Sequence, residues 1–148
     1  MPVQYANSDE QINACADAIV ALRPMLKKDE VLAQVKAMQD TDGYMLVYIT
    51  DESDPSRAAA IAGFRRLHKL LGGPHFYIDD LSTLPEFQGK GYAKQLLDHI
   101  RELAVKQGLH SVRLSSGHGN SHAHRLYLNY GFYISAHNFM LPLQEGRI

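Results

Sequence analysis

Two stretches of the 148-residue chain carry residue types that could do chemistry at close spacing. Gln88-Gly89-Lys90-Gly91-Tyr92-Ala93 opens an apolar, helically spaced run. The first N–H groups of a helix lack intrahelical partners and sit at the positive end of its dipole, so this segment offers several donors to an anion. Two glycines allow close approach to the backbone, and Lys90 adds charge. The chemistry implied is the binding of a phosphorylated ligand. Gly89 and Gly91 could equally form no more than a tight turn. Just upstream, Asp79-Asp80 ends the apolar run Phe76-Tyr77-Ile78. Successive strand residues face opposite ways, so one of the two acids, here taken as Asp80, should look into a site, as a base or as a holder of a cationic substrate. Two acids at a sheet edge would have the same appearance.

The elements that position these residues follow from periodicity. Ala93, Leu96, Leu97, Ile100, Leu103 and Ala104 recur three and four apart, which predicts a helix, with Gly108 as its C-terminal cap. Phe76 to Thr83 reads as the strand before it. Earlier, Val3 to Ala6 suggests a first strand, and Ser8-Asp9-Glu10-Gln11 a capping box. Ile12, Cys15, Ala16, Ile19 and Leu22 form a helical face that stops at Pro24, and Val31, Leu32, Val35 and Met38 mark a second helix. Tyr44 to Ile49 and Ala58 to Leu67 predict a hairpin around the polar Asp51 to Arg57 segment. Ser111 to Ser115 is a short strand, Asn120 to Tyr130 a helix ended by Gly131, and Phe132 to Leu143 a final strand. By themselves these patterns specify a mixed α and β domain.

Gln88, Gly91 and Ala93 match the Gln/Arg-x-x-Gly-x-Gly/Ala signature of the GNAT N-acetyltransferase superfamily, with Pro85-Glu86-Phe87 as its usual lead-in. Downstream, Asn120, Ala123, Tyr127 and Gly131-Phe132 are similar to the block that follows the cofactor helix in that family. The resemblance spans about residues 76 to 133. It implies one α/β (α+β) GNAT domain over 1–148, a mixed and mostly antiparallel sheet of about six or seven strands flanked by about four helices. It further implies an acyltransferase that moves acetyl from acetyl-CoA directly to a primary amine.

Site roles carried by the resemblance are as follows. Leu81, Ser82 and Thr83 run beside the pantetheine arm, the amides of Gln88, Gly89, Lys90, Gly91, Tyr92 and Ala93 hold the pyrophosphate, and Asn120 hydrogen-bonds near the arm. Tyr127 protonates the leaving thiolate. A phenol has a reference pKa of about 10 and keeps its proton at neutral pH. A core aromatic on an amphipathic helix would look the same. Asp80 is the favoured base, and since Tyr77 stands where other members carry a glutamate, a bound water, His122 or His124 are alternatives. His118, His122 and His124 have no carboxylate or thiolate close in sequence, and His118 lies between two glycines, so no metal site is expected. With His137 these histidines fit the rim of an acceptor pocket.

Global composition excludes several other classes. Fifteen basic and sixteen acidic residues give a net charge of −1, which asks for neither nucleic acid nor an anionic membrane. No segment approaches the roughly 18 apolar residues of a membrane span. The N-terminus lacks a signal pattern and Cys15 is the only cysteine, so a cytoplasmic protein is expected. A small-molecule amine is the expected acceptor. Many family members form dimers, so a homodimer is an expected partner arrangement although no segment marks an interface. Two further readings stand beside direct transfer to a small amine: a non-catalytic acetyl-CoA sensor, and an acetyltransferase acting on protein N-termini or lysines. A phosphate-loop nucleotide binder fits poorly, because Gly89-Lys90 is followed by Gly91 and not by Ser or Thr.

Overall fold

A computed structural model describes residues 1–146. The capping box forms as its residues dictate. The Ser8 hydroxyl accepts from Gln11 N at 3.2 Å, and the Gln11 side chain accepts from Ser8 N at 3.1 Å. The helical face that follows is divided at Cys15 into α1, Asp9–Ala14, and α2, Ala16–Leu22. There Cys15 N donates to Ile12 O, three residues back, a tightened turn that interrupts the ladder. After a 3-10 turn at Lys28–Glu30, α3 runs over Val31–Asp42 and ends at Gly43, whose φ of 65° is the left-handed geometry a helix end requires.

The sheet contains β1 (Gln4–Tyr5), β2 (Met45–Asp51), β3 (Asp54–Lys69), β4 (Gly73–Thr83) and β5 (Ser111–Leu114), in that spatial order. The first four strands pair antiparallel. Both hairpins are tighter than their polar sequences suggest, since Asp51 pairs with Asp54 and Lys69 with Gly73. Ala58 to Phe64 is buried without a break, so both faces of β3 are covered. Helix α2 packs on β3 and β4, as does α4 (Tyr92–Lys106). Leu96, Leu97 and Ile100 are fully or nearly fully buried, each contributing about 2 kcal/mol by leaving water. Phe64 and Phe76 meet edge to face at 5.0 Å in the same core.

Residues Met1–Arg113 form one compact unit, and a second begins at Leu114. The second contains α5, Ser121–Tyr130, closed by Gly131 N donating to Tyr127 O and Leu128 O. Ala123, Leu126, Tyr127 and Tyr130, the face read from the sequence, are half-buried in that helix, as is His124. The final strand expected over residues 132–143 is absent among the described residues, which contain five strands and not six or seven. Tyr133, Ile134, Phe139, Leu141 and Leu143 are largely exposed. Strand-type residues need a neighbouring ladder to become a strand, and Pro142 further lacks an N–H to offer one. The five α-helices exceed the expected four because the first helical face is divided at Cys15.

Candidate active site

Strand β4 does not alternate simply at Asp79 and Asp80. Ile78 pairs with Phe64 and Asp80 with Gly63, which leaves Asp79 as an extra residue and makes a bulge. Both acids thereby meet cations. Arg65 grips Asp79 with two parallel hydrogen bonds of 2.8 Å, the geometry that suits a guanidinium and a carboxylate. Arg23, just past α2, donates to Asp80 Oδ1 at 3.1 Å and to Asp79 O at 2.9 Å. The Tyr44 hydroxyl donates to Asp80 Oδ2 at 2.7 Å. Burial, and then the charge of Asp80, push the Tyr44 phenol well above its ordinary pKa, so it remains a donor. Asp80 is 18% exposed, and its Oδ2 keeps lone-pair capacity for a further donor.

Arg23 and Tyr44 were not among the residues singled out from the sequence. One signal pointed to the place, if not to them. Gly63 interrupts an otherwise apolar strand, and such a glycine marks a bulge or a close approach. A Cβ at Gly63 would lie 1.7 Å from the Tyr44 hydroxyl, so the glycine makes room for the hydroxyl that holds Asp80.

At its C-terminal end β4 pairs Leu81, Ser82 and Thr83 with Ala62, Ile61 and Ala60. On the other side β5 begins next to Pro74, where His110 N donates to Pro74 O at 2.9 Å. Four residues rising about 3.3 Å each accompany only the first part of β4. The outer backbone edge of Leu81–Thr83 therefore extends beyond that ladder. A 3-10 turn, Pro85–Phe87, then leads into the glycine segment. Gly89 and Gly91 have φ of 80° and 82°, and a Cβ built on either meets nothing within 4 Å. Gly91 heads α4 with no side-chain cap, so the first amides of that helix have no internal substitute for a ligand's oxygens. Gln88 Nε2 approaches Thr83 O at 3.5 Å. Lys90 is turned away from a purely electrostatic role, since its ammonium donates to Asp51 Oδ2 at 2.8 Å. The Tyr92 hydroxyl donates to the same oxygen at 2.6 Å. That bond and burial push the Tyr92 phenol up to about 12.

In the second unit Asn120 is the N-cap of α5, and its side chain accepts from Ala123 N at 3.3 Å. The Asn-x-x-Ala part of the motif thus has a helix-capping use. The Tyr127 ring lies 5.8 Å from that of Phe132 in an edge-to-face pair. His118, His122 and His137 are exposed and His124 is half-buried. No group of three or more His, Cys, Asp or Glu side chains among the described residues could hold a metal ion.

The family model described as "Acetyltransferase (GNAT) family" matches residues 14–132. The chain is similar to an uncharacterized N-acetyltransferase, YhdJ, of Bacillus subtilis (strain 168), with 33% identity over 123 residues, 82% of this chain and 84% of that one. It is 20% identical over 127 residues to thialysine N-epsilon-acetyltransferase of Mus musculus, covering 76% of this chain and 75% of that one. Among solved structures, the aminoglycoside N-acetyltransferase AAC(6')-Iy in complex with CoA superposes with a TM-score of 0.81 over 95% of this chain and 93% of that one, at 16% identity, a likeness of fold. The chain belongs to the GNAT acetyltransferase family, and it is an acyltransferase whose co-substrate is acetyl-CoA.

Proposed function

We propose that the protein transfers the acetyl group of acetyl-CoA directly to a primary amine of a small molecule. The observation that carries this reading is the uncapped start of α4 behind Gly91, which follows β4 through the Pro85–Phe87 turn. Bound there, acetyl-CoA supplies an activated thioester. The amides of Gln88 to Ala93 hold the pyrophosphate, and the backbone of Leu81–Thr83 accompanies the pantetheine arm. Asp80 receives the proton that the acceptor ammonium must lose before its nitrogen can attack the thioester carbon. Arg23 and Tyr44 keep the Asp80 carboxylate oriented for that task. Tyr127 gives its phenolic proton to the sulfur as the carbon–sulfur bond breaks.

Support for a small amine comes from relatives, whose names specify aminoglycosides and thialysine as acceptors. A cytoplasmic location belongs to the same reading and is supported by the one cysteine, Cys15, which is buried. Neither a homodimer nor the acceptor's identity is needed for the test. Free CoA is measured with acetyl-CoA and pooled small primary amines, with lysine-bearing peptides as a second pool. Release that depends on the small-amine pool supports the reading. Release only with the peptides reassigns the acceptor to protein, and binding of acetyl-CoA without release from any pool contradicts a catalytic role.

A further inference from the structure

Asp51, the last residue of β2, is distant in sequence from both family motifs and carries no role in the chemistry above. Yet its carboxylate accepts four hydrogen bonds, and its side chain is 5% exposed. Ser53 N and the Ser53 hydroxyl donate to Oδ1 at 2.9 and 2.7 Å, and Lys90 and Tyr92 donate to Oδ2 at 2.8 and 2.6 Å. Lys90 and Tyr92 are the two neighbours of Gly91. Asp51 thus clamps the chain on both sides of the glycine that heads α4. The clamp is extended on one side by the Phe87 ring, which lies beneath Lys90 at 5.6 Å and Arg57 at 5.7 Å. Arg57 in turn pairs with Asp17, Asp54 and Glu86.

We infer that Asp51 is a positioning residue for acetyl-CoA: by holding Lys90 and Tyr92 it fixes the Gly89–Gly91 turn in its binding shape before the cofactor arrives. Two residues with φ near 80° are conformations that an unrestrained glycine leaves readily, and glycine loses more freedom on ordering than any other residue. A loop ordered in advance does not spend binding energy on ordering itself. The same contact assigns Lys90 a part opposite to the obvious one. Its charge is matched by Asp51, so it secures the loop, and the pyrophosphate is met by backbone amides and the helix end.

This inference rests on the assignment of the glycine segment to the pyrophosphate, and the test separates the two. Calorimetry measures acetyl-CoA affinity, and displacement measures S-acetylpantetheine, which lacks the pyrophosphate and nucleotide. Asp51→Asn keeps size and removes the charge. The expected result is acetyl-CoA binding weakened about tenfold with S-acetylpantetheine affinity unchanged. If Lys90 were a phosphate ligand restrained by Asp51, Asp51→Asn would free it and tighten acetyl-CoA, which overturns the inference. Equal loss for both ligands also overturns it, as the mark of general damage. Tyr92→Phe removes one donor and leaves the ion pair, so it provides a milder variant with an expected loss of about threefold; unchanged acetyl-CoA affinity there counts against the clamp. Wild-type protein that binds both ligands equally well would sink the pyrophosphate assignment itself, and the inference with it.

Discussion

The N-termini of α4 and α5 solve the same problem in opposite ways. Each begins inside a family motif and each leaves backbone N–H groups without helical partners. At α5 the chain answers from within: Asn120 turns its side chain onto Ala123 N. At α4 it does not, since Gly91 has no side chain to give, and the side chains on either side of it are drawn off to Asp51. One helix end takes a side-chain cap from its own chain and the other has none. The contrast separates two uses of a motif: Gly91 is proposed to serve a ligand, whereas Asn120 caps its own helix.

Variants that divide the two helices test this contrast. Tyr127→Phe should have the largest effect, because α5 is assigned a role in the chemistry through its middle and not its end. Turnover is expected to fall about a hundredfold with acetyl-CoA affinity within twofold. Unchanged turnover would remove Tyr127 from the mechanism. Asp80→Asn should lower turnover about tenfold and leave acetyl-CoA affinity alone, measured at saturating cofactor; a loss confined to cofactor affinity would reassign Asp80 to the binding of acetyl-CoA. Asn120→Ala should cost about 1 kcal/mol of stability, followed by chemical denaturation, while Asn120→Asp restores the cap. Retained stability with lost acetyl-CoA affinity in Asn120→Asp would instead place the amide on the cofactor.

Acidity and alkalinity should also treat the two ends differently. The Lys90 ammonium, then the Tyr92 hydroxyl and the Ser53 donors, hold the Asp51 carboxyl below its ordinary range. Its contribution is therefore complete above the ordinary carboxylate value of about 3.9 and is lost as pH falls below it. Protection against hydrogen exchange in the hydrogen-bonded turns after Gly91, corrected for the intrinsic pH dependence of exchange, should fall in acid, whereas the neutral Asn120 cap leaves α5 unaffected. At the other extreme, the Tyr92 phenol and the buried Cys15 thiol are both pushed up to about 12. The unfolded chain ionises at lower pH, so stability is complete below about 9 and declines towards 12. Cys15→Ala should flatten part of that alkaline decline.

How much of this could be read in the residues depended on range. Signals that are local in the chain were legible: the Ser8 capping box, the buried stripe of α4 and the Gly91 and Asn120 helix starts. Contacts between distant residues were not. Arg23 and Tyr44 lie 57 and 36 residues from Asp80, and Asp51 lies 39 from Lys90. No spacing rule connects such pairs, and only the tertiary fold brings them together. The bulge at Asp79 defeated strict alternation for a related reason, since register belongs to a pair of strands. Residues 132–143 show the same limit from the other side: β-type sequence is a local property, but a strand is a relation to a neighbour.

The most direct test of the account is calorimetric titration of acetyl-CoA into wild type and Gly91→Glu. Glutamate brings a negative charge to the end of α4 and a side chain to a backbone with φ of 82°. The account predicts an affinity at least tenfold weaker, about 1.4 kcal/mol or more. Equal affinity in the folded variant would show that the start of α4 does not bind the cofactor, and would contradict the central claim.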